Sequence, residues 1–225
     1  MKKLTSKIKL GNKTLRIVPK KLILKPNKQI SWMSSHVGAA YMEVVEKKNL
    51  LAKIYISGRG KDNKSRIGVA IISFKEREPK IIKIFKQPLL DIPKLKGFFD
   101  TDGVLYPEIL DINKNKYLYY CGWTNLKSFN YNCNIGLARE YKKKFRRISN
   151  APVFGLNDTD PIGTASFSIL RDKNNYTMYY TSFDPWKKIK SKVVHNYYIK
   201  IAKSKDGLKW TRKNQIAIPL KGKEI

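Results

Sequence analysis

Two stretches of this chain repeat one another about 60 residues apart, and a looser copy precedes them. Tyr117-Leu118-Tyr119-Tyr120 leads to Ile135-Gly136-Leu137-Ala138 and then to Phe145-Arg146-Arg147. Thr177-Met178-Tyr179-Tyr180 leads, at similar spacing, to Ile199-Lys200-Ile201-Ala202 and then to Trp210-Thr211-Arg212. Upstream, Lys53-Ile54-Tyr55-Ile56 leads to Ile67-Gly68-Val69-Ala70. A repeat made of several short aromatic or β-branched runs is the signature of β-propeller blades, which gather ligands at a central channel. No segment carries a 3.6-residue apolar period of helical length, so the chain is predicted to be almost entirely β.

The repeat divides the chain into a basic lead-in, residues 1–30, and propeller-like units over 31–225, approximately 31–90, 98–155 and 160–219. In the lead-in, Leu15-Arg16-Ile17-Val18 and Leu22-Ile23-Leu24 are β-like runs flanking Pro19. Asp206-Gly207 is a strong hairpin signal, because both residues tolerate positive φ. Three blades fall short of the four to eight or so that close a ring. The expectation is therefore an incomplete β-propeller of about three four-stranded blades, truncated or completed by a second chain. Its open edges favour self-association or a partner.

Charge is the second constraint. The 225 residues hold 47 Lys and Arg against 17 Asp and Glu, a formal net charge of +30. Such a field attracts polyanions: nucleic acid, anionic lipid or sugar phosphates. The lysines are scattered through every segment, however, as an AT-rich genome filling exposed positions would leave them. Nucleic acid is thus the less favoured partner. No run is long enough to span a bilayer and Met1 to Leu24 has no uninterrupted apolar core, so no membrane span or signal peptide is read. Cys121 and Cys133 without a partner motif read as free thiols, which places the protein in the cytoplasm.

Family resemblance rests on several runs. Phe98-Phe99-Asp100-Thr101-Asp102-Gly103-Val104-Leu105-Tyr106-Pro107, followed by Tyr117 to Trp123, resembles the second blade of five-bladed propellers related to glycoside hydrolase family 43. Ile135 to Ala138, Tyr176 to Tyr180 and Ile201 to Trp210 resemble later strands. Ser35-His36, Ser57-Gly58-Arg59 and Asn63-Lys64-Ser65 are similar to the first blade of an uncharacterised branch of that superfamily, often associated with surface-sugar synthesis. The resemblance covers roughly residues 30–224 and implies a sugar-active or sugar-binding propeller.

In the family, carboxylates on the innermost strands meet at the channel mouth, and glycoside hydrolysis needs two of them. The matching positions here hold His36, where hydrolytic members place an aspartate, then Asp100 and Asp102, then Asp158 and Asp160. Glu224 falls where a fourth inner strand begins. The resemblance thus implies Asp102 with Asp160 or Glu224 as a catalytic pair, and His36, Arg59, Asp100 and Trp123 as substrate contacts. It departs from the family's base, modulator and acid arrangement, which puts classical hydrolysis in doubt.

Each residue also has a structural reading. Asp-Thr-Asp-Gly and Asn-Asp-Thr-Asp-Pro are good turns. His36 and His195 can be packed, hydrogen-bonded histidines. Trp123, Trp186, Tyr106 and Phe183 can stack on sugar rings or form core, and Arg59 and Arg66 can hold an anion or simply be solvated. Cys121, Cys133, His36 and His195 form no known zinc pattern. No phosphate loop, dinucleotide fingerprint or nucleophile elbow is present, so no metal or cofactor is expected.

Three functions remain open. One is a glycosidase-like propeller acting on or binding a carbohydrate or sugar phosphate, in surface-polysaccharide metabolism. Another is a non-catalytic carbohydrate-binding or assembly protein with a degenerate site. The last is a basic nucleic-acid-binding β-protein.

Overall fold

The computed structural model describes residues 22–76, 78–127, 130–173 and 175–218, with the backbone of two strands before them. Those two, β1 (Ser6–Leu10) and β2 (Lys13–Ile17), form an antiparallel hairpin. The expected run at Leu22 to Leu24 is not a strand. No strand pairs with it; Leu24 instead packs on the cluster around Ile30, Trp32 and Met33, leaving Leu22 and Ile23 exposed.

Three four-stranded antiparallel meanders follow, and the all-β, propeller-blade expectation is met. The first comprises β3 (His36–Glu46), β4 (Leu51–Arg59), β5 (Ser65–Ser73) and β6 (Lys80–Ile84). The second comprises β7 (Gly103–Ile112), β8 (Asn115–Asn125), β9 (Tyr131–Tyr141) and β10 (Lys144–Arg147). The third begins with β11 (Thr164–Asp172) and β12 (Asn175–Phe183). A small hairpin of β13 (Lys187–Ile189) and β14 (Lys192–Val194) interrupts it, and β15 (Tyr197–Ser204) and β16 (Thr211–Ile218) complete it. A single parallel bridge, Ser65 to Gly103, joins the first two blades. Among the described residues the one helical element is a 3-10 turn at Ser31–Met33, and no helix is long and apolar enough to cross a membrane.

Alternation along β8 explains why the sequence reads as an unbroken apolar run there. Tyr117 and Tyr119 enter the core shared with blade three, beside Met178 and Tyr180. Leu118 and Tyr120 enter the core shared with blade one, beside Tyr55, Ile67 and Val69. A middle strand sandwiched between blades is buried on both faces, so both sets of alternate side chains are apolar or aromatic. Burying each such side chain contributes roughly 1.5–3 kcal/mol. Tyr119 also ties the blades together: its hydroxyl donates to the Gly207 carbonyl and accepts from Trp210 Nε1 at 3.1 Å. The Asp206-Gly207 turn is present between β15 and β16, with Gly207 at φ 71 and Asp206 accepting the Leu208 and Lys209 amides.

The first strands of the blades carry the same irregularity. β3 bulges between Gly38 and Ala40, β7 between Leu105 and Glu108, and β11 between Ala165 and Phe167. These sites face equivalent residues of the second strands, since Ser57, Cys121 and Thr181 are their last partners before each bulge. Two bulge residues take left-handed backbone, Ala39 at φ 44 and Tyr106 at φ 54. Bulges re-aim side chains; these three lie where the blades meet.

Candidate functional site

At the start of the first strands, the blades enclose a cavity of about 510 Å³. Arg59 reaches it from β4, Tyr106 and Trp123 from blade two, Ser166 from the β11 bulge, and Tyr131 and Tyr197 from the openings of β9 and β15. The Arg59 guanidinium lies 5.7 Å from the centre of the Trp123 ring, within cation–π range. It donates to Asn63 Oδ1 at 3.3 Å and forms no ion pair among the described residues. The Tyr131 and Tyr197 hydroxyls are 2.8 Å apart, and His195 Nε2 lies 2.8 Å from Tyr197 Oη and 3.3 Å from Tyr131 Oη. Burial depresses the His195 pKa, so the neutral ring is favoured there. Among the described residues, no carboxylate lines this cavity.

A second cavity of about 240 Å³ lies further along the first strands, and Tyr106 borders both. Here Tyr41 of β3, Glu108 of β7 and Ser168 of β11 face one another across the blades. Glu108 is 9% exposed and accepts the Ile169 amide at 2.8 Å. Burial pushes its pKa up to about 7, against the pull of that amide. Glu108 thereby satisfies a donor on β11, and among the described residues it is the one carboxyl lining either cavity.

Neither Asp100 nor Asp160 lines either cavity. Asp100 and Asp160 are 1% and 0% exposed, and each sits inside its own blade. Asp100 accepts from Tyr120 Oη at 3.1 Å and Arg147 Nε at 2.7 Å. Asp160 accepts from Tyr180 Oη at 2.9 Å, Lys200 Nζ at 3.1 Å and a guanidinium nitrogen of Arg212 at 3.1 Å. Both carboxylates are held by partners from the later strands of their own blades. Each carboxylate ties the strands of its own blade together.

Asp102 does not join them. It accepts the Asn125 amide at 2.9 Å and pairs with Lys64 at 3.3 Å, fastening the loop between blades one and two. His36 opens β3 exposed, opposite Arg59 in the ladder, with Nδ1 3.1 Å from Ser35 Oγ. Of the residues expected to converge on one pocket, His36, Asp100 or Asp102, and Asp160, none lines either cavity. Asp158 is exposed in its turn, and Glu224 lies outside the described residues. Of the expected site residues, Arg59 and Trp123 do come together in the larger cavity.

Glu108, Tyr131, Tyr197 and Ser166 were not singled out from the sequence. The available signal was positional: Glu108 directly follows Tyr106-Pro107, and Tyr131 and Tyr197 each open the third strand of a blade.

Comparison with known proteins places this geometry in context. No family model matches the chain. It is 30% identical over 203 residues to uncharacterised proteins of two strains of Mycobacterium tuberculosis, an alignment covering 90% of this chain and 66% of theirs. The chain thus spans just under two thirds of the length of these curated relatives. Among solved structures it resembles a glycoside hydrolase with TM-score 0.61 at 14% identity, covering 93% of this chain and 72% of the other. A family 117 glycoside hydrolase of the marine bacterium Zobellia galactanivorans superposes with TM-score 0.60 at 16% identity, over 91% of this chain and 53% of that one. A thermostable family-43 glycoside hydrolase superposes with TM-score 0.53 at 16% identity, over 84% and 56%. The likeness is one of fold: the blades are arranged as in these β-propeller structures.

Proposed function

We propose that this chain binds carbohydrate in the cavity between Trp123, Tyr106, Tyr131 and Tyr197. The observation that carries the reading is the composition of that wall: aromatic faces and hydroxyls around a single guanidinium, at the junction of three blades. Sugar rings present apolar C–H faces and hydroxyl edges, which stack on aromatic rings and bond to Tyr, Ser and Arg. A role in surface-polysaccharide metabolism agrees with the sequence resemblance.

Binding is favoured over hydrolysis by this chain. Hydrolysis by the two-carboxylate route places two carboxyl groups about 5–10 Å apart across the bond. Among the described residues the two cavities offer Glu108 alone, and its carboxyl already holds the Ile169 amide. A nucleic-acid role has the net charge as its only support.

Titration of the intrinsic tryptophan fluorescence with a panel of neutral and acidic oligosaccharides tests the proposal. Some member of the panel should perturb the signal saturably, and Trp123→Ala should weaken that binding at least about tenfold. An unchanged thermal melt would show that the variant is folded. Unaltered affinity of the folded variant would refute the assignment of the site.

A further inference from the structure

Between β12 and β15 the third blade carries an excursion, residues 184–196, where the second blade closes the same connection with 126–130. The excursion contains the β13–β14 hairpin, and its base is pinned by the Asp184 amide donating to the Asn196 carbonyl at 3.0 Å. Just inside that base, Trp186 and His195 stack at 3.8 Å with an interplanar angle of 9°. Tyr131 meets both rings edge-on, at 5.4 and 5.8 Å, and Tyr197 bonds His195. The hairpin is therefore seated on the two tyrosines that line the larger cavity.

Its sequence, Lys187 to Val194, contains four lysines and no acid. Lys187 lies 3.4 Å from Asp184; Lys188, Lys190 and Lys192 form no ion pair among the described residues. All four are exposed. An isolated two-stranded hairpin is marginal on its own, and crowding like charges on it costs further stability. Lys188, Lys190 and Lys192 therefore add like charge to the hairpin with no ion pair among the described residues to offset it. The nearest cation inside the cavity, Arg59, likewise lacks a carboxylate.

Building on the carbohydrate reading above, we propose that the ligand is a carboxylated glycan chain. One uronate ring sits in the cavity with its carboxylate on Arg59, and the continuing chain lies across the lysines of the β13–β14 hairpin. Arg is suited to the buried end, where its planar fork pairs with a carboxylate. Mobile, solvated lysines suit the outer end, where charge matters more than geometry.

The test uses the whole chain and a linear polyuronate, oligogalacturonate, beside its methyl-esterified form of equal length and an oligothymidylate of equal charge. Free oligogalacturonate should bind at least about tenfold more tightly than the ester. Replacing Lys187, Lys188, Lys190 and Lys192 together by Gln should weaken the oligomer about tenfold and flatten its salt dependence. The same variant should leave binding of the monomeric uronate unchanged, whereas Arg59→Gln should remove it. Equal affinity for acid and ester would overturn the charged-glycan assignment and leave the carbohydrate site standing. Failure of every saccharide to bind would bring down both readings. Tighter binding of oligothymidylate, with the same lysine dependence, would assign the hairpin to nucleic acid instead.

Discussion

The hydroxyl of Tyr180 donates to the carboxylate of Asp160 at 2.9 Å, inside a blade where that carboxylate has no solvent exposure. Blade two repeats the relationship at the same sequence separation, with Tyr120 and Asp100 at 3.1 Å. An arginine from the outermost strand completes each cluster, Arg212 in one and Arg147 in the other. Blade three adds Lys200, at the position where blade two has Gly136 opposite its tyrosine.

Asp160→Asn should therefore destabilise the protein by about 3–5 kcal/mol, because it leaves Lys200 and Arg212 buried against a neutral group. Burial alone raises the Asp160 pKa, but hydrogen bonds from Ser182, Lys200 and Tyr180 outweigh it and hold the pKa below the usual carboxylate value. Its stabilisation is thus full above the unfolded pKa, near 4, and lost as pH falls through the depressed folded value. Urea denaturation at pH 7 and at pH 3 reads both effects. A folded variant with wild-type stability and no sugar binding would restore Asp160 to a direct role.

Glu108 should show the opposite dependence. Its folded pKa, about 7, is above the unfolded value, so the native state holds the extra proton between them. Stability then declines as pH rises from about 4.5 to 7, by roughly 3 kcal/mol, and levels off above. Glu108→Gln should flatten that decline, since its amide oxygen still accepts from Ile169. Denaturation midpoints taken across this range would show an unchanged slope if Glu108 were not the titrating group.

Gly68 lies under the indole of Trp32, and a Cβ there would overlap the ring. Gly122 is similarly closed, with Asp100 Cβ and Phe99 Cε2 at 2.5 Å from the position a Cβ would take. Alanine at either site should cost about 1–3 kcal/mol or more through overpacking. Trp32, fully buried and donating Nε1 to the Phe85 carbonyl at 3.0 Å, cannot yield without losing that bond. A thermal melt unchanged by Gly68→Ala would show that the ring has room to move.

The two thiols should differ in reactivity. Cys133 borders the larger cavity, whereas Cys121 is fully buried and its pKa is raised by a hydrogen bond with Cys133 and by burial. Iodoacetamide should label Cys133 first in native protein, because the thiolate is the attacking form, and bound saccharide should slow that labelling. Peptide mapping that finds equal labelling of Cys121 would contradict this placement.

Repeat and alternation were enough to define the strands and their grouping into blades, because a buried meander demands period-two patterning that any reader of the sequence can see. Even the blade ties were written there: Asp100 to Tyr120 and Asp160 to Tyr180 have one spacing, and the arginines close both repeats. Their role was not legible, since an aspartate in a turn looks the same whether its carboxylate faces a channel or an inner arginine. Tyr119 and Tyr179 show the same limit. They hold equivalent ladder positions, yet one is fully buried between blades and the other is 38% exposed. Which residues share the cavity depended on contacts between blades, where Arg59, Trp123 and Tyr197 meet from separate strands. Local pattern sets which face of a strand a side chain occupies; only the packing of one blade on the next decides what that face meets.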